Sequence, residues 1–194
     1  MKKIILIVFL GLIACVTLFA QTRPIMGYDQ VAWGVSANEV RRVYNLGDLT
    51  LTPHSSNPER VTQLIQENVS NSIKRRTFMF IDDKLYRVVV RYNDTSDATA
   101  TTLRGIIENN FGRQTDSNIQ TGNTALGYVL FTSRTYIFGQ YSPELVVEVI
   151  HTRARALSST DFFALAAAEN ENSLRVEYNW KRFRDEYQAS RLGL

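Results

Sequence analysis

Large apolar residues alternate with polar ones along the stretch from Thr77 to Tyr92, and this is the strongest pattern in the chain. Phe78, Phe80, Tyr86, Val88, Val90 and Tyr92 recur every second residue in two runs separated by Asp82-Asp83. A period of two puts each set on one side of a pleated strand, so the stretch predicts two strands and a tight acidic turn. A three-residue loop, Asp82-Asp83-Lys84, sets Phe80 across from Tyr86 and Phe78 across from Val88. A two-residue Asp82-Asp83 turn shifts the register by one and mixes the faces, so the longer loop is expected. The opposite side then carries Arg75, Thr77, Arg87 and Arg91 with Met79 and Val89. That side is either basic and solvated or covered by another element.

Two stretches carry helical spacing. Val40, Val43 and Tyr44 form one apolar stripe. Ser36 and Glu39 make a capping box in front of it, flanked by Val35 and Val40 as a staple, and Gly47 is placed to end the helix. Ser96 or Asp97 caps a second helix running to Phe111, with Leu103, Ile106, Ile107 and Phe111 on one face and Gly112 beyond its end. Gly105 inside that helix costs about 1 kcal/mol against Ala, which points to close packing there.

Val61 to Ile73 reads two ways. Asn57-Pro58-Glu59 is a good helix start, yet Ser70-Asn71-Ser72 is turn chemistry leading into the central hairpin. A strand over 62–69 pairing with 74–81 is the expectation. A first strand is expected within Ile25 to Trp33, and further strands over Ala125 to Thr132, Thr135 to Gly139 and Leu145 to His151. Residues 113–124, rich in Thr, Asn, Gln and Gly, read as a loop. Ser159 begins a capped helix, and Trp180, Phe183 and Tyr187 share one face of a helical C-terminal extension. The expected fold is α+β: an antiparallel sheet with two helices on one face, an arrangement open to two αβββ-like halves of about 75 residues each, plus that extension.

The first twenty residues differ from the rest. Lys2-Lys3 precedes an apolar run from Ile4 to about Phe19, followed by the small Ala20, which has the order of a secretory leader. Leu12-Ile13-Ala14-Cys15 also fits a bacterial lipobox with Cys15 as the lipidated residue. Cleavage near Ala20, lipidation at Cys15 and an uncleaved anchor are the three outcomes. The expected division is 1–20 leader, 21–157 α+β domain and 158–194 helical extension. The location is periplasmic or secreted, or lipid-anchored to a bacterial membrane. The formal net charge of +3 includes Lys2 and Lys3 and falls by two, to +1, without them, so bulk charge makes no case for nucleic acid. Cys15 is the one cysteine, so the segment after the leader has neither a disulfide nor a cysteine nucleophile.

Trp33-Gly34 followed by Ser36-x-x-Glu39-Val40 resembles the opening of small exported bacterial α+β domains. It is more distantly similar to the outer-membrane assembly lipoproteins, which favour Met where this chain has Val35. The likeness covers about eight residues and is dominated by a common capping box. It implies an α+β fold and an envelope setting, and no functional residue is carried over from it.

Candidate chemistry is sparse. His54 and His151 are the only histidines and have no metal-ligand spacing, so neither metal nor cofactor is expected. Asp82-Asp83 is a turn former before it is a catalytic pair. There is no Gly-x-Ser-x-Gly elbow and no phosphate loop. Arg75, Arg76, Arg87 and Arg91 are candidates for an anionic ligand. Trp180, Phe183 and Tyr187 are candidates for a partner surface. The expected role is non-catalytic binding of a protein, peptide or envelope component. An inhibitor of a secreted enzyme presenting 113–124 as a loop, or a hydrolase without a recognisable motif, are the alternatives.

Overall fold

A computed structural model of the chain describes residues 27–55, 58–124, 129–139, 142, 144–158 and 160–182. The leader, Phe183 and Tyr187 lie outside them. No helix among the described residues is long and apolar enough to cross a membrane.

The described residues open with a small hairpin, β1 (Gly27–Tyr28) and β2 (Val31–Ala32), and α1 (Ala37–Tyr44). There follow β3 (Thr52–Pro53), β4 (Val61–Glu67), β5 (Ile73–Ile81) and β6 (Lys84–Tyr92). Next come α2 (Asp97–Phe111), β7 (Gln114–Asn123), β8 (Val129–Phe138), β9 (Leu145–Ala156), α3 (Phe162–Glu171) and β10 (Ser173–Trp180). Strands β3 to β10 form one eight-stranded antiparallel sheet in the order β3-β4-β5-β6-β10-β9-β8-β7. The fold is thus mixed α+β around a large antiparallel sheet, as expected. The strand expected over 62–69 is β4, paired with β5.

The central hairpin differs from expectation in an instructive way. Its turn has two residues: Asp82 and Asp83 both adopt positive φ (49° and 59°), and Ile81 pairs with Lys84. That is the twist-matched hairpin turn. The mixing of faces that argued against it is removed by a bulge: Phe80 pairs with Leu85, Met79 with Arg87, and Tyr86 is the extra residue. Beyond the bulge Phe78 faces Val88, as the longer loop would also have placed it. Leu85 takes the place beside Phe80 in the main core. Tyr86 turns to the other side, into a small cluster with Val61, Met79, Ile81 and Val89.

The main core gathers Val31, Trp33, Ala37 and Val40 with Leu64, Phe78, Val88, Val90, Ala100, Ile107, Val149, Leu174 and Val176. It therefore includes side chains of both α1 and α2. Ser36 caps α1, its Oγ accepting from the Glu39 N–H at 3.3 Å. Asp83 adds a second cap from across the chain, its Oδ1 accepting from the Ala37 N–H at 3.0 Å. The turn that joins β5 to β6 thus also fixes the start of a helix. Asn45, at φ 55°, ends α1, not Gly47. Ser96 and Gly112 bound α2 as expected. Within it Ile107 is buried but Ile106 is 49% exposed, and open space surrounds Gly105 instead of the close packing expected there.

Two regions need correction. Residues 114–123 are no loop but β7, a polar strand at the edge of the sheet, and β8 runs unbroken where two strands were expected. The described residues of the expected helical extension are not all helical either. After α3 the chain enters β10, which lies at the centre of the sheet between β6 and β9. The body of the fold therefore runs to Trp180 and does not stop at residue 157.

Candidate functional site

Antiparallel register decides which side chains meet. Arg91 on β6 pairs with Arg75 on β5 and with Arg175 on β10, so three arginines stand side by side on three adjacent strands. Neighbouring strands lie about 4.8 Å apart, and like charges directly opposite one another destabilise a sheet. One step along, Thr77, Val89 and Glu177 form the next row, and Met79, Arg87 and Asn179 the one after. These side chains point away from the core that holds Phe78, Val88, Val90 and Val176, because alternate residues of a strand face opposite sides.

All of them except Asn179 line a concavity of about 360 Å³ together with His54, Gln63 and Ile65. Its lining holds four guanidiniums, Arg75, Arg87, Arg91 and Arg175, and one carboxylate, Glu177. Glu177 is 4% exposed. Its Oε1 accepts from Arg175 Nε at 2.8 Å and its Oε2 from Arg87 Nη2. Burial alone would raise its pKa, but the charges of Arg87 and Arg175 more than offset this and hold it below the ordinary carboxylate range. Glu67, on β4, pairs with Arg75 at 2.6 Å.

Arg91 is the middle member of the row and has no salt-bridge partner among the described residues. Desolvation and the like charges of Arg175 and Arg75 all lower its pKa, which means its cationic form is the one under strain. The Arg87 Nε is buried without an acceptor among the described residues. On β9, Glu148 stands opposite Glu177 and bounds the positive region on that side.

The sequence candidates separate. Arg75, Arg87 and Arg91 converge as one site. Arg76 does not join them: its guanidinium lies over the rings of Tyr44 and Tyr28, 5.1 and 5.8 Å from their centroids. Trp180 packs against the main core, and its Nε1 donates to Glu144 Oε2 at 3.2 Å. It stands apart from the concavity, while Phe183 and Tyr187 lie outside the described residues. Arg175 and Glu177 were missed. Their signal was present, since Leu174, Val176, Tyr178 and Trp180 alternate with Arg175, Glu177 and Asn179 as a half-buried strand would.

The remaining candidates have structural roles. His151 is 4% exposed, with Nε2 at 2.9 Å from the Thr95 carbonyl oxygen and Nδ1 at 3.6 Å from Asp97 Oδ1. Asp82 is bound by Arg60, at 2.5 Å. No group of three His, Cys, Asp or Glu among the described residues is placed to hold a metal ion. The chain matches no protein-family model, and no curated protein or solved structure matches it.

Proposed function

We propose that this is a non-catalytic exported bacterial protein whose clustered arginines bind a negatively charged group on a protein, peptide or envelope component. The observation that carries the reading is the row Arg75–Arg91–Arg175 above a buried, doubly paired Glu177. A sheet that sets three like charges abreast gives up stability. An anionic ligand over Arg91 would relieve that repulsion and accept hydrogen bonds from planar guanidiniums suited to carboxylate or phosphate. Glu177 favours binding over catalysis. A carboxylate held by two guanidiniums and kept ionised is a weak base at neutral pH and no acid.

The periplasmic, secreted or Cys15-anchored setting rests on the leader, and the envelope role on its likeness to small exported domains. We read the fold as two similar halves with α1 and α2 on one face. α1 precedes β3 to β6 from one edge, α2 precedes β7 to β10 from the other, and β6 and β10 meet at the centre.

The test is calorimetric titration of the purified chain with poly-glutamate and with inorganic phosphate, beside pull-down from its own envelope fraction. Binding should weaken about tenfold in Arg91→Gln, the loss of one charge-assisted contact of roughly 1.4 kcal/mol. It should strengthen in Glu177→Gln. Absence of binding to either probe and to the envelope fraction, or affinity indifferent to Arg91, would sink the reading.

A further inference from the structure

The two edges of the sheet are unlike. At one, β3 has two residues and one of them is Pro53, which has no N–H to offer. At the other, β7 runs for ten residues without proline or lysine, and its only charge is Asp116. The Thr124 N–H donates to the Val129 carbonyl at 2.9 Å, and the register from Asn118 to Asn123 is unbroken. Backbone polar groups alternate in direction along an antiparallel strand. The even residues 118, 120 and 122 therefore bond to β8, and the odd residues Ile119, Thr121 and Asn123 turn their N–H and C=O outward. Ser117 fits the same alternation, its outward N–H being taken by its own neighbour, Asp116 Oδ1, at 2.7 Å. Ile119 is 63% exposed and is the single aliphatic side chain on this strand.

We propose that β7 pairs antiparallel with β7 of a second copy of this chain about a two-fold axis at Ile119, continuing the sheet from one protomer into the next. The strand is complementary to itself in that register. Ile119 lies against Ile119 of the second copy and loses its exposure, Ser117 meets Thr121 and accepts its N–H on the Ser117 C=O while the Ser117 N–H stays on Asp116, and the charge of Asp116 meets Gly122. Gly122 is itself covered on its own strand pair by the Phe131 ring, 3.0 Å from where a Cβ would stand. Arg134, the cross-strand neighbour of Ile119 on β8, is kept three strand spacings from its counterpart, about 14 Å and beyond the screening length in physiological salt. An extended strand of another protein has the same backbone to offer but no reason to carry an aliphatic residue at this point. A second copy always does.

Sedimentation equilibrium of the purified chain decides it. A contact built on one strand is small and of the weak class, so a dimer is expected at about 100 μM and a monomer well below that. Thr121→Pro removes an outward donor and leaves the β7–β8 bonds in place, while Ile119→Lys sets two ammonium groups against each other. Both should sediment as monomers at every concentration with an unchanged circular dichroism spectrum. If Thr121→Pro disturbs the spectrum, Ile119→Lys alone decides. A wild-type chain that stays monomeric at 100 μM, or that binds a foreign strand in preference to itself, overturns the proposal. So does a dimer indifferent to Ile119→Lys.

Discussion

On β5, β6 and β10, Phe78, Val88, Val90 and Val176 belong to the main core, with at most 2% of their surface exposed. On the other side of the same strands stand Arg75, Arg91 and Arg175 around an open concavity. The same backbone holds both. Where a second layer covers the sheet, apolar burial stabilises it by roughly 25 cal/mol per Å². On the other side the same strands carry charges that cost stability and line a concavity open to a ligand. Even the exception follows this division: Glu177 is buried among the arginines and pairs with Arg87 and Arg175, while Glu67 pairs with Arg75.

The covered side should be the more sensitive. Phe78→Ala, at a fully buried position, should lower unfolding free energy by about 3 to 5 kcal/mol in urea melts. A loss below 1 kcal/mol would mean that the helices do not close that side. Glu177→Ala comes next, at roughly 2 to 4 kcal/mol, because it leaves Arg87 and Arg175 facing each other unpaired.

The same carboxylate sets a pH dependence. Its folded pKa lies below the unfolded one, so its contribution is full above the ordinary glutamate range, near 4.3, and is lost as pH falls through the folded value. Glu177→Gln should therefore flatten the acid limb of stability measured by circular dichroism. An unchanged acid limb would place the charge balance elsewhere.

Asp83→Ala should cost about 1 kcal/mol through the lost cap on Ala37, showing in thermal melts as a small fall. Arg91→Gln should change stability least, within about 0.5 kcal/mol, and in the upward direction since it relieves repulsion from Arg75 and Arg175. Its large effect belongs to ligand titration. A variant that loses stability and affinity together would erase the distinction between the two sides.

Much of this was legible in the chain. Alternation from Arg75 to Tyr92 named three of the four arginines that now line the concavity, because in a strand a side chain's neighbour in space is fixed by parity. Ser36, Ser96 and Gly112 marked helix ends because capping is a local matter. The turn at Asp82-Asp83 was misjudged because a bulge at Tyr86 is invisible to a rule that assumes unbroken pairing. β7 was taken for a loop because an edge strand buries little and so needs no apolar pattern.

The sequence alone, then, determined the class of the fold, the position of both main helices and the sidedness of the central hairpin outside its bulge, since each depends on residues a few places apart. Only the tertiary structure decided that β10 enters between β6 and β9 and brings Arg175 beside Arg91 and Glu177 against Arg87. Those pairs are 84 and 90 residues apart along the chain. No local preference encodes a contact of that range, which forms when the sheet as a whole finds the strand order that buries its apolar side.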